Sequence, residues 1–148
     1  MAACGLPKWR PDHAVRLAFM AQDMIHVVKN FRTPGGKELN VRIGMHAGPA
    51  IACVIGFKKL SYDILGDSVN VASRMESHGV AGRIQVSEQA SELLEEVFQL
   101  EPRGELEVKG KGKLKCFLLG ASIGSADSAG LKSTASFCST DSSIDLDS

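Results

Sequence analysis

Apolar residues recur along this chain with two different periods, and the switches between them divide it into elements. Residues 1–6 form a short apolar run stopped by Pro7, which reads as part of a buried strand. From Asp12 onward Val15, Leu17, Ala18, Ala21, Met24, Ile25, Val28 and Phe31 make one helical stripe, with Pro11 ahead of it and Asp12 as N-cap. A polar loop containing Pro34, Gly35 and Gly36 leads to residues 39–46, where Val41, Ile43 and Met45 alternate with Arg42 and Gly44. After Gly48 and Pro49 comes the buried-type run 50–55, so the pattern predicts two strands joined by a tight turn.

A second helix is predicted to open at Gly66 and Asp67, with Asp67 as N-cap, Val69, Ala72 and Met75 on its apolar stripe and Gly79 closing it. Residues 83–86 read as a strand, and Ser87 as the cap of a short helix through Glu96. Residues 106–109 and 114–118 read as a hairpin turning at Gly110 and Gly112. The order strand, helix, two strands, helix, strand, helix, hairpin predicts an α+β fold with a partly antiparallel sheet.

Composition narrows the class. The 148 residues are 44% hydrophobic and carry 17 Lys+Arg against 17 Asp+Glu, which is ordinary globular usage. The neutral total hides an asymmetry, since residues 1–120 carry a net +3 and residues 121–148 a net −3. The last segment is mostly Ser, Ala, Thr, Asp and Gly, with too few apolar residues to offset the entropy of ordering it, so 1–120 is expected to form the domain and 121–148 a disordered tail. The longest apolar stretch, 49–57, is far short of the roughly 18 residues a membrane span needs. Cys4, Cys53, Cys116 and Cys138 show no metal-binding spacing and read as free, mostly buried thiols in a reducing compartment, with Cys53 a core residue.

Two clusters carry candidate chemistry. In the first, Asn70 and Arg74 stand four apart on one helix face, close after Asp63 and the glycine-led helix start. Such a pair suits a phosphate, because guanidinium offers a rigid fork of donors with a charge, although spacing alone favours the plainer reading of a solvent-facing arginine. In the second, Lys109, Lys111, Lys113 and Lys115 alternate across the hairpin, a concentration of charge suited to a polyphosphate and equally to a guarded sheet edge. One Trp and one Tyr are too few aromatics for a nucleic-acid interface. His46 reads as a structural histidine, and His13, His26 and His78 have no metal spacing.

The stretches VRIGMHAGP over 41–49, YDILG over 62–66, NVASRMES over 70–77 and VKGKG over 108–112 together resemble the class III adenylyl/guanylyl cyclase catalytic domain, over its C-terminal two thirds. The resemblance implies an incomplete ferredoxin-like nucleotide cyclase fold that pairs head to tail with a second cyclase domain, as homodimer or heterodimer. It also implies conversion of a nucleoside triphosphate to its 3′,5′-cyclic monophosphate and pyrophosphate with Mg2+ or Mn2+. Asn70 and Arg74 take the places of the family's catalytic Asn and Arg, Lys109 that of the triphosphate-binding lysine, and Asp63 that of a purine-reading residue. A carboxylate there accepts from the adenine amino group and repels guanine O6, so ATP is the favoured substrate.

The family's metal-binding aspartates lie ahead of the segment matched by residues 1–7. The chain is therefore expected to be part of a longer cytoplasmic or membrane-attached cyclase, without metal ligands of its own and inactive alone. The alternative is a catalytically inactive half that serves a partner domain in dimerisation or regulation, and a weaker one is a ferredoxin-like binding module without nucleotide chemistry.

Overall fold

The computed structural model describes residues 1–108 and 112–125. The elements run α1 (His13–Asn30), β1 (Ile43–Met45), β2 (Ile51–Ile55), β3 (Ser61–Leu65), α2 (Asp67–Ser77), β4 (Ile84–Ser87), α3 (Glu88–Glu92), β5 (Phe98–Val108) and β6 (Gly112–Ser122), with a 3-10 turn at Ile123–Ser125. The class is α+β, as the pattern predicted. A four-stranded sheet has the order β1-β4-β6-β5, in which β1 runs parallel to β4 and the other neighbours are antiparallel. Strands β2 and β3 form a separate antiparallel ribbon.

Strand β4 is buried along its whole length, which requires cover on both faces of the sheet. Ile84 and Val86 pack with Ala14, Ala18 and Ala21 of α1, Ala90 of α3, Leu94 and Phe98. The small residues of α1 let the helix lie close on the sheet. Gln85 points the other way and donates to Met75 Sδ of α2 at 3.8 Å, while Val71 and Met75 of α2 pack on Cys116 of β6. Burial of Val71 and Met75 is worth about 1.5–3 kcal/mol for each side chain.

The approach of α2 to the sheet depends on Gly44. A Cβ there would lie 2.0 Å from the backbone N of Glu76 and 2.5 Å from the carbonyl carbon of Met75. A helix can sit this close to a strand only where the strand has no side chain. Arg42 Nε then reaches Glu76 Oε1 at 3.1 Å, tying the last turn of α2 to the chain entering β1.

Several expectations are corrected. Residues 1–6 form no strand, and Met1 is 83% exposed, because no described strand lies beside them to complete a ladder. The segments 39–46 and 50–55 are not hairpin partners. Only Ile43–Met45 is strand and it pairs with β4, while β2 pairs with β3, a strand the pattern did not predict. Strand β2 is not buried, since Ile51 is 70% exposed. Gly66, at φ 142°, is the N-cap of α2, and Asp67 is the first helical residue, where its charge suits the helix dipole. Asp12 does precede α1, yet its carboxylate takes Arg10 and Arg16 rather than a backbone N–H; these hydrogen bonds hold it far below the usual carboxylate range. Helix α3 stops at Glu92, and β5 and β6 are longer than predicted. Pro102 is tolerated in β5 because that strand is the sheet edge and its register shifts there. The segment read as a tail from 121 begins too early: Ser122 ends β6 paired with Phe98, and Ile123 N donates to Val97 O at 2.8 Å, while residues from 126 onward lie outside the described residues.

Ser87 joins three elements. Its Oγ accepts from Ala90 N at 3.3 Å to cap α3, and it lies 2.8 Å from His46 Nδ1 just beyond β1, the structural role expected of that histidine. Ser87→Ala is expected to lower stability by about 1–2 kcal/mol, the ordinary loss for an N-cap, read as a fall in the thermal midpoint. Gly44→Ala is expected to cost about 3 kcal/mol, at the upper end for overpacking, because the atoms met belong to backbone. An unchanged urea midpoint for Gly44→Ala would refute the close contact of α2 with β1.

Candidate active site

The residues singled out by their chemistry fall mainly on one continuous unit, β3–Gly66–α2. Strand β3 carries Asp63, whose Oδ1 accepts from Ile64 N at 2.8 Å. The chain then turns at Gly66, where the positive φ and the nearness of Pro49 O, 3.2 Å from an added Cβ, both favour glycine. Ser68 Oγ donates to Pro49 O at 2.7 Å and fixes the first turn of α2 against the β1–β2 connection.

Helix α2 buries Val71 and Met75. Asn70 and Arg74 each precede one of these, so both project from the neighbouring exposed side, one turn apart. Among the described residues neither side chain makes a hydrogen bond or ion pair. At the C-terminal end of α2 the Arg74 carbonyl accepts from His78 N at 3.1 Å and Ser77 Oγ at 3.3 Å. The helix is thus anchored at both ends and along its buried face, while Asn70 and Arg74 remain available to a ligand.

The lysine cluster is not a uniform patch. Lys115 Nζ meets Glu88 Oε1 at 2.9 Å, a hydrogen bond that raises its pKa, and Lys113 Nζ meets Glu105 Oε2 at 3.3 Å. Lys109 lies outside the described residues, between Val108 and Gly112, which pair with each other. Strands β5 and β6 pack on α2 through Leu106, Leu114 and Cys116.

The ribbon carries a feature the pattern misassigned. Ile51, Val54, Ile55, Phe57, Leu60, Tyr62 and Leu65 are all exposed, Phe57 fully so. Cys53, expected in the core, is half-buried on the ribbon directly across from Asp63. Cys116 is the buried thiol, and burial pushes its pKa up. The periodicity could not reveal the pairing of Cys53 with Asp63, because it depends on which strand β2 joins.

Among the described residues, no three His, Cys, Asp or Glu side chains are grouped to hold a metal ion. No helix among them is long and apolar enough to cross a membrane.

A family model described as "Adenylate and Guanylate cyclase catalytic domain" matches residues 1–121. A membrane guanylyl cyclase of Dictyostelium discoideum is 45% identical over 119 residues, which cover 80% of this chain and 8% of that protein. An adenylate cyclase of Mycobacterium bovis is 43% identical over 119 residues, 80% of this chain and 27% of that protein. The chain thus spans well under a third of either curated relative. The guanylate cyclase domain of RhGC from Catenaria anguillulae, solved in complex with GTP, superposes with a TM-score of 0.76 at 39% identity, covering 80% of this chain and 65% of that one.

Proposed function

This chain belongs to the adenylate and guanylate cyclase catalytic domain family, and on that premise we propose that it is the C-terminal part of a cyclase that converts ATP to 3′,5′-cyclic AMP and pyrophosphate. The observation that carries the reading is the pair Asn70 and Arg74, one turn apart on an anchored helix with both side chains unspent among the described residues. In the reaction the ribose 3′-oxygen attacks the α-phosphorus, the bond to the bridging oxygen breaks, and pyrophosphate leaves. Asn70 orients the ribose by hydrogen bonding. Arg74 places its guanidinium against charge that grows on the α-phosphoryl oxygens, an interaction strongest in the transition state. Lys109, which follows Val108 in sequence at the end of β5, is assigned to the triphosphate.

The substrate base is argued from Asp63. Relatives of nearly equal identity include a guanylyl and an adenylate cyclase, so identity does not choose between ATP and GTP. A carboxylate accepts from the adenine amino group and repels the oxygen that guanine presents at the same edge. The divalent ions of the reaction, Mg2+ or Mn2+, would neutralise triphosphate charge and would take their ligands from outside the described residues. The apolar ribbon is the surface we assign to a second cyclase domain, in a homodimer or heterodimer, because an exposed patch of this kind marks an interaction site. We assign the catalytic part to the chain up to the turn at Ile123–Ser125, a tail to the residues after it, and the cytoplasm as the setting in which its thiols stay reduced.

Two substitutions test the assignment, with the full chain paired with a cyclase domain that supplies metal ligands and cyclic-nucleotide formation as the readout. Arg74→Ala should lower kcat and kcat/KM together by about a hundredfold or more with little change in KM. A rise in KM alone would assign Arg74 to ground-state binding. Asp63→Cys should abolish the preference for ATP over GTP, and a wild-type pair that makes cyclic GMP in preference would overturn the choice of base.

A further inference from the structure

Side chains alternate across a strand, so Ile51, Cys53 and Ile55 of β2 share one face of the ribbon with Ser61, Asp63 and Leu65 of β3. Asp63 is the one charged residue of that set, and Ile51, Ile55 and Leu65 around it are apolar and exposed. Cys53 is its direct cross-strand partner. Opposed Cβ atoms in an antiparallel pair are about 4.5–5.5 Å apart, so the two side chains share one small volume above the ribbon. One carboxylate oxygen of Asp63 is held by Ile64 N–H at 2.8 Å, which fixes the carboxylate and leaves the other oxygen, among the described residues, to a ligand.

We propose that Cys53 is a second base-selecting residue, acting beside Asp63. The inference rests on the nucleotide reading above and deepens it. An adenine amino group donating to Asp63 at about 2.9 Å brings the purine edge over the Cys53–Asp63 pair, so the sulfur lies against that edge. A thiol is small, weakly polar and polarisable, and packs on a flat ring without competing for its hydrogen bonds. Guanine could satisfy the same carboxylate only by sliding until its N1–H and N2–H face it. The cysteine side chain fills the cross-strand space which that slide requires. Asp63 thus selects by charge and Cys53 by volume.

The test is calorimetric titration, with Mg2+ present, of the full chain paired with a cyclase domain that supplies metal ligands, using ATP and GTP, for wild type, Cys53→Gly and Cys53→Leu. Circular dichroism confirms that each variant is folded, as expected for a position outside the core clusters. Wild type should prefer ATP. Cys53→Gly should reduce the ATP-to-GTP affinity ratio about tenfold while retaining ATP binding, and Cys53→Leu should weaken ATP about tenfold, the usual scale for such changes in a pocket. ATP should also slow alkylation of Cys53 by N-ethylmaleimide, mapped by mass spectrometry, without slowing that of Cys4. A wild type that prefers ATP, with both variants within about twofold of it and no protection of Cys53, would overturn the role of Cys53 and leave the nucleotide reading standing. A wild type that binds neither nucleotide would overturn the nucleotide reading and this inference together.

Discussion

The placement of Asn70 and Arg74 depends on how closely α2 can lie on the sheet. At Gly44 the strand backbone and the last turn of the helix come so near that even a methyl group would overlap the backbone at Met75 and Glu76. Because that contact is backbone to backbone, it fixes the height of the helix, and Val71 and Met75 against Cys116 fix its rotation. Asn70 and Arg74 inherit their direction from both. A site built on a packed helix loses little freedom when a ligand arrives, which is the physical basis of preorganised charge stabilisation.

Several of the chain's cations are paired with acidic side chains. Arg42 is paired with Glu76, Arg83 with Glu101, Lys113 with Glu105 and Lys115 with Glu88, all near the surface, where such pairs contribute little stability. Arg74 stands apart from them on its anchored helix. A cation held in place by backbone packing rather than by an anion keeps its full field for a phosphoryl group, whereas a paired one would first have to lose its partner.

The ribbon shows the opposite economy. Two short strands with apolar residues on both faces are marginal in water, and these form their own ribbon apart from the four-stranded sheet. Such a ribbon gains cover when a second domain seats on it, and the same event would complete the surroundings of Asp63. Assembly and base recognition would then be coupled through a single element, in keeping with a family that works as paired domains.

The sequence by itself determined the local features. The α1 stripe, the helix following Gly66, the Ser87 cap, the i,i+4 placement of Asn70 and Arg74, and the structural role of His46 all depend on periodicity and short-range hydrogen bonding, which act between near neighbours in the chain. The four motifs carried the family for the same reason, being continuous stretches. Tertiary structure decided what pairs with what: β1 with β4 rather than β2, β2 with a strand at 61–65, and Cys53 with Asp63 instead of the core. Alternation gives a strand its two faces but not its neighbour, and an apolar run is equally consistent with a buried strand and an exposed ribbon awaiting a partner. Those choices follow from long-range strand pairing and packing, and no local pattern encodes them.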